Sequence, residues 1–142
     1  MVLWILVGVI VVAGLGWAGV AVYRDRVYGT VFTESSLIVT VEEGERFSLA
    51  VPDRGASVGD SWSAQPDAGG ILDARGHRMR SSSLLDQVRG PSPGGGQGTS
   101  FFIYEARAAG ATKVTVSNCF QGCDQPAPSG ESRDVTWTIT VR

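Results

Sequence analysis

The sequence predicts an all-β sandwich of about seven to eight strands, preceded by one N-terminal transmembrane helix. Three observations carry this expectation. Residues 1–23 hold no charged side chain, so all 12 basic and 14 acidic residues follow them. Beyond that run, short segments alternate apolar and polar residues with the period of two that a half-buried strand requires. No helical period is sustained there, and glycine and proline clusters separate the segments, the pattern of a sheet-on-sheet domain.

The first element is the apolar run itself. MVLWILVGVIVVAGLGWAGVAVY is apolar on every face. As a helix, at ~1.5 Å per residue, it is long enough for the ~30 Å hydrocarbon core of a bilayer. Trp4, Trp17 and Tyr23 are residue types that gather at membrane interfaces. A cleaved secretory signal is the alternative, with Gly19-Val20-Ala21 as its small-x-small site. Against it, no basic segment precedes the run, which also exceeds the ~7–15 apolar residues of a usual signal. The expected organisation is a membrane anchor at 1–23, a juxtamembrane linker at 24–35 and a sandwich domain at 36–142. Gly14 and Ala18 are spaced to let two such helices approach closely. Topology signals conflict. Arg24 and Arg26 follow the span, which places the rest in the cytoplasm by the positive-inside rule. Cys119 and Cys123, in CFQGC, favour the other side, because a disulfide closing that short loop persists only in an oxidising compartment. The expectation is a single-pass protein of the cell membrane with an extracytoplasmic domain.

The strands follow in order. SLIVTV (36–41) is β-branched, and EEGE (42–45) turns the chain. Phe47, Leu49 and Val51 alternate with Ser48 and Ala50, and Pro52 closes that strand. Ser61-Trp62-Ser63 starts the next. Residues 64–98 are ambiguous: Gly69-Gly70, Gly76, Gly90 and PSPGGGQG (91–98) interrupt them, and Ile71, Leu72, Met79, Leu84, Leu85 and Val88 fit a helical turn near 84–88 or short irregular strands equally. Periodicity returns in SFFIYEAR (100–107), the Ala108-Ala-Gly110 turn and TKVTVSN (112–118), with Val114 and Val116 on one face. In the last strand Val135, Trp137, Ile139 and Val141 face one way, while Thr136, Thr138 and Thr140 face the other.

Candidate chemistry is sparse. GASVG (55–59) fits the G-x-S-x-G elbow of a serine hydrolase, with Ser57 as nucleophile. An elbow needs a helix after the turn, whereas Gly59-Asp-Ser-Trp62 leads into a strand. His77 is the single histidine and follows Asp67 and Asp73, so the triad order exists formally, but the parallel α/β scaffold does not. The match reads as chance, and no enzyme is expected. RGHRMR (75–80), with Arg89, reads as a basic loop with His77 exposed, a solvated sheet edge that blunts pairing or a contact for an acidic partner or phospholipid surface. The cysteine spacing is neither a C-x-x-C redox pair nor half of a zinc site, and PGGGQG lacks the Gly-Lys-Ser/Thr ending of a phosphate loop. No metal or cofactor is expected. A net charge of −2 excludes the basic footprint of a nucleic-acid-binding domain.

Several stretches together carry a resemblance. TVEEGE (40–45) with the strand at 47–52, the Gly59-Asp-Ser-Trp62 spacing, GGQGT (95–99) followed by the strand at 101–107 and Ala108-Ala-Gly110, and the closing strand at 135–141 resemble chagasin-type inhibitors of papain-like cysteine peptidases. The resemblance covers about residues 36–142 and implies an immunoglobulin-like β-sandwich. In that family three loops at one end of the sandwich form a wedge that enters the peptidase cleft. The first carries Asn-Pro-Thr-Thr-Gly, the second Gly-x-Gly-Gly and the third Arg-Pro-Trp. Here loop one is Asp53-Arg-Gly-Ala-Ser-Val-Gly59, with Ser57 and Val58 in place of the threonines and only Gly59 kept. Loop two is Gly95-Gly96-Gln97-Gly98. Loop three has Phe120-Gln121-Gly122 in place of Arg-Pro-Trp, between Cys119 and Cys123. The resemblance implies a protein partner, a papain-like cysteine peptidase, met by Ser57 and Val58 near its thiol, by the loop-two glycines and by Phe120 as apolar anchor. The rival expectation is a non-inhibitory accessory module that docks on another membrane protein.

Overall fold

The computed structural model describes residues 19–65, 69–82, 97–122 and 131–142. Two four-stranded sheets face each other. In chain order the strands are β1 Thr30–Thr33, β2 Ile38–Val41, β3 Arg46–Asp53, β4 Trp62–Ala64, β5 Leu72–Ser81, β6 Gly98–Ala106, β7 Gly110–Asn118 and β8 Arg133–Val141. One sheet has the order β1-β3-β6-β5, the other β2-β8-β7-β4. Among the described residues the expected sandwich of two β-sheets is therefore formed, with eight strands.

The alternating segments became strands because alternation sorts side chains to opposite faces of a pleated sheet. Phe47, Leu49 and Val51 of β3 meet Val114 and Val116 of β7 and Trp137, Ile139 and Val141 of β8 in one core cluster. Trp137, Phe47 and Leu49 are its largest fully enclosed side chains. The other face of β3 is also buried in its middle, at Ser48 and Ala50, as is Ile103 beside them on β6. Part of that cover is helix at residues 19–28. The Tyr28 ring lies 4.7 Å from the Phe101 ring, and the Ser48 hydroxyl donates to the Tyr28 carbonyl. Arg46 Nη1 donates to the Arg26 carbonyl at 2.7 Å. At Gly29 (φ +61) an added Cβ would sit 1.8 Å from the Arg46 carbonyl oxygen, so the chain passes from helix to sheet at backbone contact.

Two features differ from the sequence reading. Thr30–Thr33, expected within a linker at 24–35, forms β1, paired in parallel with β3 from Thr30↔Phe47 to Thr33↔Ala50. The chain then crosses to the second sheet, where β2 pairs in parallel with β8. Trp137 Nε1 braces the crossing by donating to the Thr33 carbonyl at 3.3 Å. The basic segment at 75–80, read as a loop or as a solvated sheet edge, is the edge and not the loop: it is the body of β5, which pairs antiparallel with β6 and carries a bulge between Ala74 and Gly76. β5 is an edge strand rich in charge, the usual guard against edge-to-edge pairing, and its Arg75 is paired with Glu105 of β6 at 2.9 Å. Its lack of alternation follows from the bulge, which resets the faces. The helical turn considered at 84–88 lies outside the described residues. Most of the anchor expected at 1–23 lies outside them too; among the described residues no helix is long and apolar enough to cross a membrane.

Candidate functional site

Strand registers place three connections at one end of the sandwich. In the first sheet Asp53 pairs with Gly98 and Gly98 with Ser81, so β3 and β5 end where β6 begins. In the second sheet Trp62 pairs with Asn118 and Asn118 with Arg133, so β7 ends where β4 and β8 begin. The connections leaving that end are residues 54–61, 82–97 and 119–132, which contain the three loops singled out in the sequence.

Loop one is closed by its own hydrogen bonds. The Gly55 N–H donates to Asp53 Oδ1 at 2.7 Å, an Asx turn that fixes the exit from β3. Val58 and Asp60 N–H both donate to the Gly55 carbonyl, at 3.2 and 3.3 Å, and Gly59 N–H to Ala56 at 3.1 Å. This winds Ala56–Val58 into a 3-10 turn. Ser57 and Val58 lie on it exposed, Val58 keeping 43% of its surface in water. Gly59 returns at φ +97, and an added Cβ there would meet Gln121 Cγ at 2.8 Å. The glycine singled out by its distance from Trp62 is therefore where loop one touches loop three.

That contact extends the β4–β7 ladder. Cys119 N–H donates to the Ser61 carbonyl and Gln121 N–H to the Gly59 carbonyl, both at 2.8 Å. Gln121 takes a left-handed φ of 58 to do so. Beneath them lies a polar hub that sequence reasoning missed. Asp60, with 2% of its side chain exposed, accepts from Arg54 N–H (2.9 Å), Arg54 Nε (3.1 Å), Arg54 Nη2 (2.9 Å) and Asn118 Nδ2 (3.2 Å). The forked bond from Arg54 is the main reason the Asp60 carboxyl is held down at about 2, with the backbone and Asn118 donors adding to it against the effect of burial. Reciprocally, Asp60 raises the Arg54 guanidinium above its ordinary range. The same guanidinium lies 4.6 Å from the centre of the Phe120 ring and reaches Glu131 at 3.2 Å. Arg54 thus binds loop one to both sides of loop three, and the half-buried Phe120 is already in contact with it. The readable signal was DRGASVGD (53–60), a glycine-bounded loop with an acid and a base at its mouth and a second acid at its close.

Loop two is described only at its base. Ser82 N–H donates to the Gln97 carbonyl at 2.8 Å. Gly98 passes so close to β5 that an added Cβ would stand 2.4 Å from the Arg80 carbonyl oxygen. Gln97 is exposed. Gly95 and Gly96 lie outside the described residues. So does Cys123, and with it the expected Cys119–Cys123 bridge. Gly122 follows Gln121 at φ +101, a conformation that favours glycine, and among the described residues nothing lies within 4 Å of an added Cβ there.

The hydrolase reading gains no geometry. The serine bonded to His77 is not Ser57 but Ser100, at 3.0 Å from Nε2. Ser100 is fully buried on β6 and donates its own proton to Asp53. That order, acid–serine–histidine, ties β3, β6 and β5 together at the base of loops one and two. It leaves no histidine free to accept the serine proton, as a nucleophile would require. His77 is stacked on Phe102 at 4.4 Å between ring centres. Among the described residues no three His, Cys, Asp or Glu side chains are grouped to hold a metal.

No family model matches the sequence, and no curated protein matches it. Solved structures do match in shape. A cysteine protease inhibitor from Entamoeba histolytica, EhICP2, superposes with a TM-score of 0.55 at 10% identity, over 80% of this chain and 94% of its own. Amebosin superposes with a TM-score of 0.52 at 17% identity, over 80% of this chain and 97% of its own. At such identities the likeness is one of fold, and nearly the whole of each neighbour takes part in it. The chain therefore has the fold of a cysteine protease inhibitor, the architecture that its sequence resemblance implied.

Proposed function

We propose that this protein is a membrane-anchored inhibitor of a papain-like cysteine peptidase, acting by physical occlusion of the cleft. The observation that carries the reading is the convergence of the three connections at one end of a sandwich whose fold is shared with a cysteine protease inhibitor. Ser57 and Val58 on the loop-one turn, the Gly95-Gly96-Gln97-Gly98 run and Phe120-Gln121-Gly122 form the contact surface in this reading. Loops one and three are held by hydrogen bonds before any partner arrives, so little ordering entropy is lost on docking. Inhibition needs no bond to the peptidase thiol: an apolar Val58 and a close-packed backbone exclude the substrate. A Cys119–Cys123 bridge would pin the tip of loop three, and residues 1–23 would hold the domain at the extracytoplasmic face of the cell membrane.

The test is inhibition of a panel of papain-like peptidases by residues 19–142, the span that keeps the helix end packed on the sheet. Inhibition at micromolar concentration or better is expected for at least one member. No effect across the panel would overturn the proposal. The second reading, a docking module for a membrane protein, is favoured by one observation: Phe120 is already stacked on Arg54. In that case a fixed partner co-purifies with the full chain from membranes, whatever peptidases are present.

A further inference from the structure

The edges of the two sheets are β1 and β5 in the first and β2 and β4 in the second. β5 is guarded by charge and by its bulge. β2, Ile38–Val41, has neither: it holds no charged residue, no proline and no break in register. Its bonds to β8 show which backbone groups are left over. Thr138 N–H donates to the Leu37 carbonyl at 2.8 Å, Arg142 N–H to the Val41 carbonyl at 3.0 Å and Glu43 N–H to the Arg142 carbonyl at 2.9 Å. Alternate residues of a strand bond to a parallel neighbour, so Leu37, Val39, Val41 and Glu43 face β8. The N–H and carbonyl groups of Ile38 and Thr40 point the other way, where β2 has no neighbouring strand among the described residues. This open stretch is bounded at both ends. Ser36 N–H is bonded to the Thr33 carbonyl and Glu42 N–H to Glu45 Oε2, each at 3.0 Å. Along it Ile38 keeps 83% and Leu37 43% of its surface in water.

We infer that β2 is a self-association edge, pairing antiparallel with β2 of a second copy of this chain about a two-fold axis through Val39. Residues in a hydrogen-bonded antiparallel pair exchange both of their N–H···O bonds. One register satisfies every open group: Ile38 opposite Thr40 of the second copy, and Thr40 opposite its Ile38. A shift of two residues either way sets Thr40 against Ser36 or Ile38 against Glu42, whose N–H groups are already bonded. The same register suits the side chains. Leu37 falls opposite Val41 of the second copy and Ile38 beside its Thr40, so both exposed apolar residues gain cover. Glu42 and Glu43 fall opposite Ser36 and Ser35, so carboxylates are set against hydroxyls and not against one another. Such an isologous contact closes on itself as a dimer and joins the two β2-β8-β7-β4 sheets into one. It buries less than the ~1,200 Å² of a stable interface, so the dimer is weak and set by concentration. Because the paired strands run antiparallel, the loop ends of the two copies point in opposite directions and both stay open. The inference therefore stands apart from the peptidase reading.

Full-chain Ile38→Cys and Thr40→Cys variants are prepared separately in detergent, then oxidised mildly, each alone and mixed. Residues directly opposite have Cα atoms ~5.5 Å apart, within disulfide reach, whereas diagonal ones stand ~7–8 Å apart, beyond it. The inference predicts that the mixture forms a bridge between positions 38 and 40 at least tenfold faster than either variant bridges to itself. Mass spectrometry of the linked peptides identifies the pair. In the wild-type chain, dilution should speed amide exchange at Ile38 and Thr40 and leave Val39 and Val41, which are bonded to β8, unchanged. Ile38→Lys puts a charge on an exposed edge and should abolish that concentration dependence without moving the unfolding midpoint. Equal bridging rates in the three samples would mean random collision and overturn the inference. Exchange at Ile38 and Thr40 that ignores concentration also overturns it, and would leave the edge to a strand of another protein. A dimer that survives Ile38→Lys places the contact elsewhere on the chain and overturns it as well.

Discussion

Replacing Asp60 by Asn removes one charge and leaves the shape of the loop-one hub unchanged. The carboxylate accepts four hydrogen bonds, three of them from Arg54. An amide offers one acceptor oxygen, and its NH2 group must face a donor from Arg54 or Asn118. Lowering the Asp60 carboxyl from its ordinary 3.8 to about 2 corresponds to about 2 kcal/mol of preference for the charged form. Arg54 keeps 44% of its side chain exposed, so solvent screening reduces this to between about 1 and 2 kcal/mol. A buried amide with a misplaced donor costs a further ~1–2 kcal/mol. The expected loss at pH 7 is therefore about 3 kcal/mol. The pH dependence has a definite sign: a carboxyl lowered in the folded state stabilises fully above its unfolded value and loses that contribution as pH falls towards about 2. The gap between wild type and Asp60→Asn should narrow by about 1–2 kcal/mol between pH 5 and pH 2. Urea unfolding of residues 19–142, followed by tryptophan fluorescence across that range, measures both quantities. A loss under 1 kcal/mol at pH 7, or a gap that does not change with pH, would refute the account of the hub.

Four other outcomes follow from the same geometry. Gly59→Ala forces a side chain at φ +97 against Gln121 and should cost about 1–3 kcal/mol, with thermal unfolding as the readout and an unchanged midpoint as the contrary result. Gly98→Ala places a methyl group at the Arg80 carbonyl; faster amide exchange along β5 is expected, and unchanged exchange would show that the strands part without cost. Among the described residues Trp62 Nε1 is buried with no hydrogen-bond partner, so Trp62→Phe deletes ring volume but no hydrogen bond. Its cost should stay below about 1.5 kcal/mol, and a loss above 3 kcal/mol would mean that the indole is bonded. Val58→Asp alters only an exposed residue and should leave the unfolding midpoint within a degree or two while weakening peptidase inhibition at least tenfold; equal inhibition would remove loop one from the contact surface.

Legibility in the sequence followed the source of each element's stability. β3 and β8 were readable because each buries an unbroken alternating face, Phe47-Leu49-Val51 and Val135-Trp137-Ile139-Val141, and that pattern is local. Loop one was readable from the Gly59–Trp62 spacing, since a close approach and a core anchor each restrict residue type. β5 was legible only as a solvated edge or a basic loop, because its residues are mostly exposed and its bulge at Ala74/Gly76 interrupts the period. β1 was hidden for another reason: four residues, Thr-Val-Phe-Thr, acquire their role only by pairing in parallel with β3. The Asp53–Ser100–His77 chain and the Arg54–Asp60–Asn118 hub join residues that sequence distance separates by up to 58 positions. Hydrogen bonding across strands leaves no periodic trace. The resemblance supplied the end-loop arrangement before the registers did, because turn order persists where loop residues have changed.

The central claim is that the loop end enters a peptidase cleft, and competition for that cleft tests it most directly. A papain-like peptidase inhibited by residues 19–142 is first treated with a small covalent blocker that fills the cleft and caps the thiol. Binding of the blocked and unblocked enzymes is then compared by calorimetry. The account predicts that blocking weakens binding at least a hundredfold, since Val58 and the glycine run would have no space to enter. Equal affinity for the two forms would place the contact elsewhere on the peptidase and contradict occlusion.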